Sequence, residues 1–125
     1  MLCDVTISGS KDAEKIRSKG ELTYYDNGFE LRYKIAEDRC VLTARGSTVT
    51  QSRRGDINTD ITFNKGKSTV CMLLSGELTG SIPVRTCDLK IVKGECGVNV
   101  SIDYFLGGAK ILLRLTALQS PKEAL

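Results

Sequence analysis

Hydrophobic and polar residues alternate along much of this chain, and the alternation is clearest in two stretches. In the first, the apolar side chains at every second position are Phe29, Leu31, Tyr33 and Ile35. In the second, they are Val98, Val100, Ile102 and Tyr104. Because successive side chains of a β-strand point to opposite faces, each stretch would have one apolar and one solvated face. The pattern predicts an antiparallel sheet.

Turn signals divide the chain into nine or ten short predicted strands. Asn27-Gly28, between two alternating stretches, is a strong β-hairpin signal because both residues tolerate positive φ. Consecutive short hairpins favour an up-and-down meander, and closure of the sheet removes its open edges. We therefore predict an all-β fold, an antiparallel up-and-down closed barrel of about 8–10 strands. A β-sandwich is the rival, but it needs long crossover connections.

The 125 residues fit one domain, residues 1–125. Residues 9–20 are polar and rich in lysine, and they predict a loop or a short helix with Ser10 as its cap. Residues 119–125, which include Pro121, predict a frayed tail. Pro83 falls inside a predicted strand, so we expect a bulge, a bend or a sheet edge there.

The formal net charge is only +3, and acidic and basic residues are mixed along the chain, as on an ordinary solvated surface. No run approaches the roughly 20 apolar residues of a membrane span, and the first residues do not form a secretory signal. These features predict a cytoplasmic protein without a membrane partner.

The cysteine pattern fits the same compartment. The chain has five cysteines and no histidine, and it has no Cys-x-x-Cys pair. We therefore expect neither a disulfide framework nor a metal site. The strand alternation assigns four of the cysteines to the core: Cys3, Cys40, Cys87 and Cys96. Cys71 falls on the face opposite Val70 and Met72, which makes it the best candidate for an accessible thiol.

Two longer runs carry a family resemblance. They are Gly-Glu-Leu-Thr-Gly-Ser-Ile-Pro-Val at 76–84 and Val-Asn-Val-Ser-Ile-Asp-Tyr-Phe-Leu at 98–106, with residues 28–33 and 53–55 in the expected order upstream. In this order and spacing the chain resembles the YwiB-like family of small bacterial proteins, a domain of unknown function, over about residues 20–118. The resemblance implies a calycin-like barrel, related to the lipocalins, and it implies no particular chemistry.

The sequence disfavours an enzyme. Without histidine, the usual Ser-His-Asp and Cys-His nucleophiles are excluded, as is histidine-bound catalytic zinc. The chain also lacks a Gly-x-x-x-x-Gly-Lys-Ser/Thr phosphate loop. The alternation places Asp88 and Asp103 on outward faces, and Asp56 and Asp60 lie near a turn. We therefore expect no catalytic residue and no cofactor.

The favoured hypothesis is non-enzymatic binding of a small, partly apolar ligand in or at the mouth of the barrel. Tyr33, Tyr104 and Phe29 are candidate contacts because they lie on inward rows, and a buried tyrosine hydroxyl seeks a polar partner. Arg53 and Arg54 have opposite parity, so one of them faces inward, where Arg53 is the candidate to hold an anionic head group. Core packing and a purely structural arginine pair are the plainer interpretations, and the alternation leaves open whether the interior is hollow.

The alternative is a protein- or single-stranded nucleic-acid-interaction module that uses the basic loops and the sheet surface. Lys65, Lys67, the lysines of 11–19 and an exposed Tyr24 or Tyr25 would serve it. The aromatic content of 6% and the lack of a basic run disfavour nucleic acid as a partner. A monomer and a homodimer are both compatible with the sequence.

Overall fold

The computed structural model describes residues 1–9 and 15–121, which form ten β-strands. They are β1 (Leu2–Gly9), β2 (Ile16–Tyr25), β3 (Gly28–Ile35), β4 (Asp38–Arg45), β5 (Thr48–Arg54), β6 (Asn58–Asn64), β7 (Ser68–Ser75), β8 (Leu78–Lys93), β9 (Gly97–Leu106) and β10 (Ala109–Gln119). Each strand pairs antiparallel with its sequence neighbours, and β1 pairs with β10 to close the barrel. The predicted all-β, up-and-down closed barrel is confirmed. No helix in this part of the chain is long and apolar enough to cross a membrane.

The two ends of the barrel are distinguished by their turns. The upper end, called the mouth below, carries the connections that follow the odd-numbered strands, and the lower end carries those that follow the even-numbered strands. Phe29 faces Ala44 across the β3–β4 pair near the lower end, whereas Tyr33 faces Cys40 nearer the mouth. The inward rows of the strands therefore form successive layers between the two ends.

The middle and lower parts of the interior are filled with side chains. Six large apolar residues from five strands have no accessible surface: Phe29, Leu31, Leu42, Val49, Phe63 and Ile102. A side chain with no accessible surface adjoins no void large enough for water. These residues therefore form a packed core of the kind expected for a small barrel, rather than the wall of a deep cavity.

The predicted hairpin at Asn27-Gly28 is confirmed, but the role of its glycine differs from the expected one. The turn is Asp26-Asn27, and Gly28 is the first residue of β3, opposite Arg45 of β4. A Cβ at this position would lie 1.7 Å from the carbonyl oxygen of Ala44. Gly28 is required because two backbones approach closely there, not because of positive φ.

A β-bulge in β8 overturns one of the cysteine predictions. The register between β8 and β9 shifts between Thr86 and Asp88, which leaves Cys87 as the extra residue. Thr86 is buried and Cys87 is exposed. The prediction of Cys87 as a core residue is therefore wrong, because counting by twos fails across a bulge.

Two further cysteine predictions are also wrong. Cys96 is exposed because it lies in the turn before β9, where strand alternation does not apply. Cys71 is buried rather than accessible, because β7 turns Val70 and Met72 to the solvent and Cys71 to the core. Cys3 and Cys40 are buried as predicted.

The second strand begins earlier than predicted. Residues 16–20 belong to β2 and pair with β1, with Ile16 opposite Ile7 and Gly20 opposite Cys3. The predicted loop or short helix is wrong for these residues, because pairing with β1 satisfies their backbone while the long basic side chains remain in water. Residues 10–14, including the proposed cap Ser10, lie outside the described residues.

The C-terminal strand extends one residue into the predicted tail. Strand β10 extends to Gln119, and the backbone N–H of Ser120 donates to the carbonyl of Leu2. The predicted tail therefore starts too early, and residues 122–125 lie outside the described residues.

Pro83 lies at the sheet edge that the sequence allowed for. On the side of β8 that faces β9, strand pairing begins only at Val84, the next residue. The missing N–H of Pro83 therefore leaves no acceptor on β9 unsatisfied.

Candidate functional site

The mouth of the barrel carries a group of inward polar side chains on β3, β4 and β5. The register sets Tyr33 opposite Cys40, and Cys40 opposite Arg53. Two positions from Cys40 and Arg53 along their strands, Asp38 and Gln51 share the same inward parity. The sheet thus brings together four polar residues that are separated in the sequence.

Two hydrogen bonds organise this group. Gln51 Nε2 donates to the Tyr33 hydroxyl at 2.8 Å, and Arg53 Nε donates to Asp38 Oδ2 at 2.6 Å. Burial raises the pKa of Tyr33 well above its ordinary value, so its hydroxyl stays neutral. The Arg53 side chain remains 41% exposed, so its guanidinium lies at the boundary between core and solvent.

An open pocket of about 440 Å³ lies above this group. It is lined by Asp38, Arg53, Asp56, Ile57, Thr59 and Leu73. The lining therefore offers one guanidinium and two carboxylates beside two apolar side chains. Among the described residues, the two Nη atoms of Arg53 have no hydrogen-bond partner. The pocket can supply hydrogen-bond donors, acceptors and an apolar surface to one small molecule.

The four candidate residues chosen from the sequence fall into two places. Tyr33 and Arg53 belong to the group at the mouth. Tyr104 lies elsewhere in the interior, where its ring meets that of Phe63 edge to face with centroids 4.7 Å apart, and burial raises its pKa. Phe29 has no accessible surface. Neither Tyr104 nor Phe29 lines the pocket at the mouth, and both serve the packing of the core.

Sequence reasoning missed Asp38, Gln51 and Thr59. Asp38 is the first residue of β4. Counting back by twos from Cys40 would have placed Asp38 on the inward face, and counting on from Val49 would have placed Gln51 there. The alternation identifies these inward positions only when polar residues are counted along the strand together with apolar ones.

A second feature lies on the outer face of the sheet. Lys34 pairs across strands with Arg39, and Arg39 pairs with Arg54, so three basic residues stand side by side. They belong to a groove of about 470 Å³ on β2–β5 whose lining also includes Lys19, Glu21 and Arg32. Like charges directly opposite each other destabilise a sheet, so this row has a cost in stability.

The basic loops expected to act together lie apart. Lys65 is at the lower end, paired with Asp88 at 3.2 Å, whereas Arg54 is near the mouth. Tyr25 is exposed as one of the two adjacent tyrosines was expected to be, and the Arg45 guanidinium lies 5.5 Å from its ring centre. Lysines within 10–14 fall outside the described residues.

Two acidic residues face each other on the outer surface of the barrel. Asp88 faces Asp103 across strands, and the nearby ammonium of Lys65 lowers the pKa of Asp88. Within residues 1–9 and 15–121, no group of three or more cysteine or carboxylate side chains is placed to hold a metal ion.

Comparisons with known proteins bear on the fold and the family. The structure is similar to the crystal structure of YwiB protein from Bacillus subtilis, with a TM-score of 0.80 and 16% sequence identity over 96% of this chain and 91% of that one. No curated protein matches the chain. The family model described as "Domain of unknown function (DUF1934)" matches residues 3–117. Since that match spans nearly the whole chain, the protein belongs to the DUF1934 family.

Proposed function

We propose that this protein binds a small, partly apolar molecule at the mouth of its barrel and does not act as an enzyme. The observation that carries the proposal is the position of Arg53. Its side chain projects from an inward row and donates through Nε to Asp38, and neither Nη atom has a hydrogen-bond partner among the described residues. A guanidinium oriented in this way is suited to recognise an acceptor group on a ligand.

The charges of the pocket specify the head group further. Asp38 and Asp56 outnumber Arg53, so a simple anion would meet two carboxylates beside one cation. A head group that carries both a hydrogen-bond acceptor and a donor or cation fits better. We therefore propose a zwitterionic or neutral hydrogen-bonding head group, with the apolar part of the ligand against Ile57 and Leu73.

The packed core limits how deep the ligand goes. Leu31 and Leu42, one layer below Tyr33 and Cys40, have no accessible surface. Tyr33, which accepts a hydrogen bond from Gln51, lies between Leu31 and the mouth and does not line the pocket. The ligand would therefore lie across the mouth rather than inside the barrel, in contrast to a barrel with an enclosed cavity.

The arginine pair of β5 provides a matched test. Native mass spectrometry of gently purified protein would look for a bound small molecule in the wild type, Arg53→Met and Arg54→Met. Octylphosphocholine, which has a zwitterionic head and an apolar tail, and octanoate, a simple anion, would then be titrated by NMR. We expect octylphosphocholine to shift the methyl signals of Ile57 and Leu73 in the wild type and in Arg54→Met, and to bind at least about tenfold more weakly to Arg53→Met.

Two outcomes would contradict this proposal. One is equal binding by Arg53→Met and Arg54→Met, which would mean that the inward guanidinium plays no part. The other is a wild-type protein that carries no small molecule and shows no shift at the mouth with either probe.

The row of Lys34, Arg39 and Arg54 supports a second candidate, an interaction with single-stranded nucleic acid through the outer face. Among the described residues, Lys34 and Arg39 have no acidic partner, so their charges are available to phosphates. The test is fluorescence anisotropy with a labelled oligothymidine at several salt concentrations. Binding that weakens steeply with salt and is lost in Lys34→Gln/Arg39→Gln, but not in Arg53→Met, would support it. Absent or salt-independent binding would remove it.

We also propose that the protein is a bacterial cytoplasmic protein of the calycin-like type. The five cysteines are all free, and free thiols persist in the reducing cytoplasm. Differential alkylation of the thiols in intact cells, followed by mass spectrometry, would test the compartment, because a chain exposed to an oxidising space would carry disulfides or other oxidised thiols.

A further inference from the structure

One part of the barrel wall has an open edge. Strand β8 pairs with β7 from Leu78 onward, but its pairing with β9 begins only at Val84. Along residues 78–82, no strand among the described residues pairs with the side of β8 that faces β9. An unpaired edge offers free backbone N–H and C=O groups as a template for another strand.

The orientation of the free groups follows from a neighbouring hydrogen bond. The N–H of Gly107 donates to the carbonyl of Pro83, so the polar backbone groups of Pro83 point away from β7. In an antiparallel ladder the direction of these groups alternates from residue to residue. The N–H and C=O groups of Ser81 and Thr79 therefore also point to the open side, whereas those of Ile82 and Gly80 point to β7.

This edge differs from other free edges of the barrel. Residues 16–19 of β2 have no partner on β3, but they carry Arg17 and Lys19. Residues 88–93 of β8 have no partner on β7, but they carry Asp88, Lys90 and Lys93. Residues 78–82 carry no charge at all. Charged residues are the usual protection of a solvent-exposed edge, so this edge lacks the protection that those two segments have.

Exposed apolar residues accompany the edge. Leu78 is 77% exposed, and Val70, Met72 and Leu74 on the outer face of β7 are also exposed. At Gly80, in the centre of the edge, an added Cβ would meet nothing within 4 Å. The strand is therefore open to approach from the side and offers apolar surface next to its free hydrogen-bonding groups.

We propose that this edge pairs with the same edge of a second copy of the chain, across a two-fold axis at Gly80. Antiparallel pairing about Gly80 sets Thr79 of each copy opposite Ser81 of the other, and these are the residues whose backbone groups point outward. Each such pair exchanges two hydrogen bonds. The interface is self-complementary, as a two-fold dimer requires.

The side chains fit the same register. Leu78 of one copy lies opposite Ile82 of the other, which covers the most exposed apolar residue on this edge. This agreement of backbone and apolar groups favours a second copy over an unrelated peptide as the occupant.

The dimer is expected to be weak, because a five-residue edge buries much less than a standard interface. We expect half of the chains to be dimeric at about 100 µM, within a factor of ten. Sedimentation velocity between about 5 and 500 µM would measure this equilibrium. Hydrogen exchange at the two ends of that range would locate it, with slower exchange of the Thr79 and Ser81 amides at high concentration.

A pair of double variants makes the test specific. Thr79→Lys/Ser81→Lys places two charges on the edge and should abolish the dimer. Thr50→Lys/Ser101→Lys makes the same chemical changes on outer positions of strands that are paired on both sides, and it should dimerise like the wild type. Circular dichroism melting would show that both variants remain folded.

The proposal is overturned if the wild type stays monomeric throughout the range, or if the edge variant dimerises as well as its control. A dimer whose formation leaves the exchange of Thr79 and Ser81 unchanged would also overturn it, since that dimer would use another surface.

Discussion

Arg53 and Arg54 are adjacent in β5, yet they hold carboxylates on opposite sides of the barrel wall. Arg53 donates to Asp38 at the mouth at 2.6 Å, and Arg54 reaches Asp60 on the outer face at 2.9 Å. The period of two along a strand separates the neighbours. One arginine therefore belongs to the candidate ligand site and the other to the basic row, which is why the pair serves as its own control.

The hydrogen bond between Gln51 and Tyr33 should contribute measurably to stability. Tyr33→Phe removes the acceptor, and Gln51→Leu leaves a buried hydroxyl without its donor. We expect each change to lower the free energy of unfolding by about 1 kcal/mol. The double variant should lose about 1 kcal/mol less than the sum, because the two residues are coupled. Urea denaturation of the four proteins measures this cycle, and strictly additive losses would show that the hydrogen bond contributes nothing.

Gly28 should tolerate no side chain. In Gly28→Ala the new Cβ would overlap the backbone carbonyl of Ala44, which no side-chain rotation relieves. We expect a loss of about 3 kcal/mol or more in the free energy of unfolding, or failure to fold. Gly80→Ala is the control, since its Cβ meets nothing within 4 Å, and it should change stability by less than about 0.5 kcal/mol. Similar melting temperatures for the two variants would contradict this account of Gly28.

The thiols should divide into two classes. Cys87 and Cys96 are exposed, and Cys3, Cys40 and Cys71 are buried. Desolvation raises the pKa of each buried thiol, which further reduces its thiolate fraction. A chromogenic disulfide reagent at pH 8 should therefore titrate two thiols rapidly in the native protein and all five in urea. Cys87→Ser/Cys96→Ser should remove the rapid phase, and a rapid phase that survives would show that a buried cysteine is reactive.

Buried tyrosines should make the protein less stable in alkali. Burial raises the pKa of Tyr104 above its value in the unfolded chain, so the folded state holds its proton when the unfolded state has lost it. The contribution of the Tyr104 hydroxyl to the free energy of unfolding is complete below the unfolded pKa of about 10. It is lost as the pH rises from that value through the higher pKa of the folded state. Tyr104→Phe cannot titrate at this position, so its stability should fall less steeply than that of the wild type between pH 9.5 and 11.5 in urea denaturation. Equal slopes for the two proteins would refute this role for Tyr104.

Much of the fold was predictable because its signal is local. Alternation in residues 29–35 and 98–104 and the turn signals between the strands led to a closed meander, which the structure confirms. The cysteines show where local counting fails. Cys87 is the extra residue of a bulge, and Cys96 lies in a turn. At Cys71 the outward neighbours are themselves apolar, so hydrophobicity did not mark the inward face.

The candidate site was only half predictable, for a related reason. Tyr33 and Arg53 were found from parity, but their partners Gln51 and Asp38 are polar residues whose inward position shows only when four strands are placed in register. The same holds for Lys34, Arg39 and Arg54, which lie apart in the sequence and become neighbours across the sheet.

The sequence by itself determined the kind of structure: alternating strands, tight turns and one apolar face per strand require a sheet that curls around its own core. Only the tertiary structure decided which side chains meet at the mouth, that the interior below is packed, and that residues 78–82 of β8 lack a partner. These properties depend on strand register and stagger, which arise from contacts between residues far apart in the chain, and alternation within one strand carries no information about them.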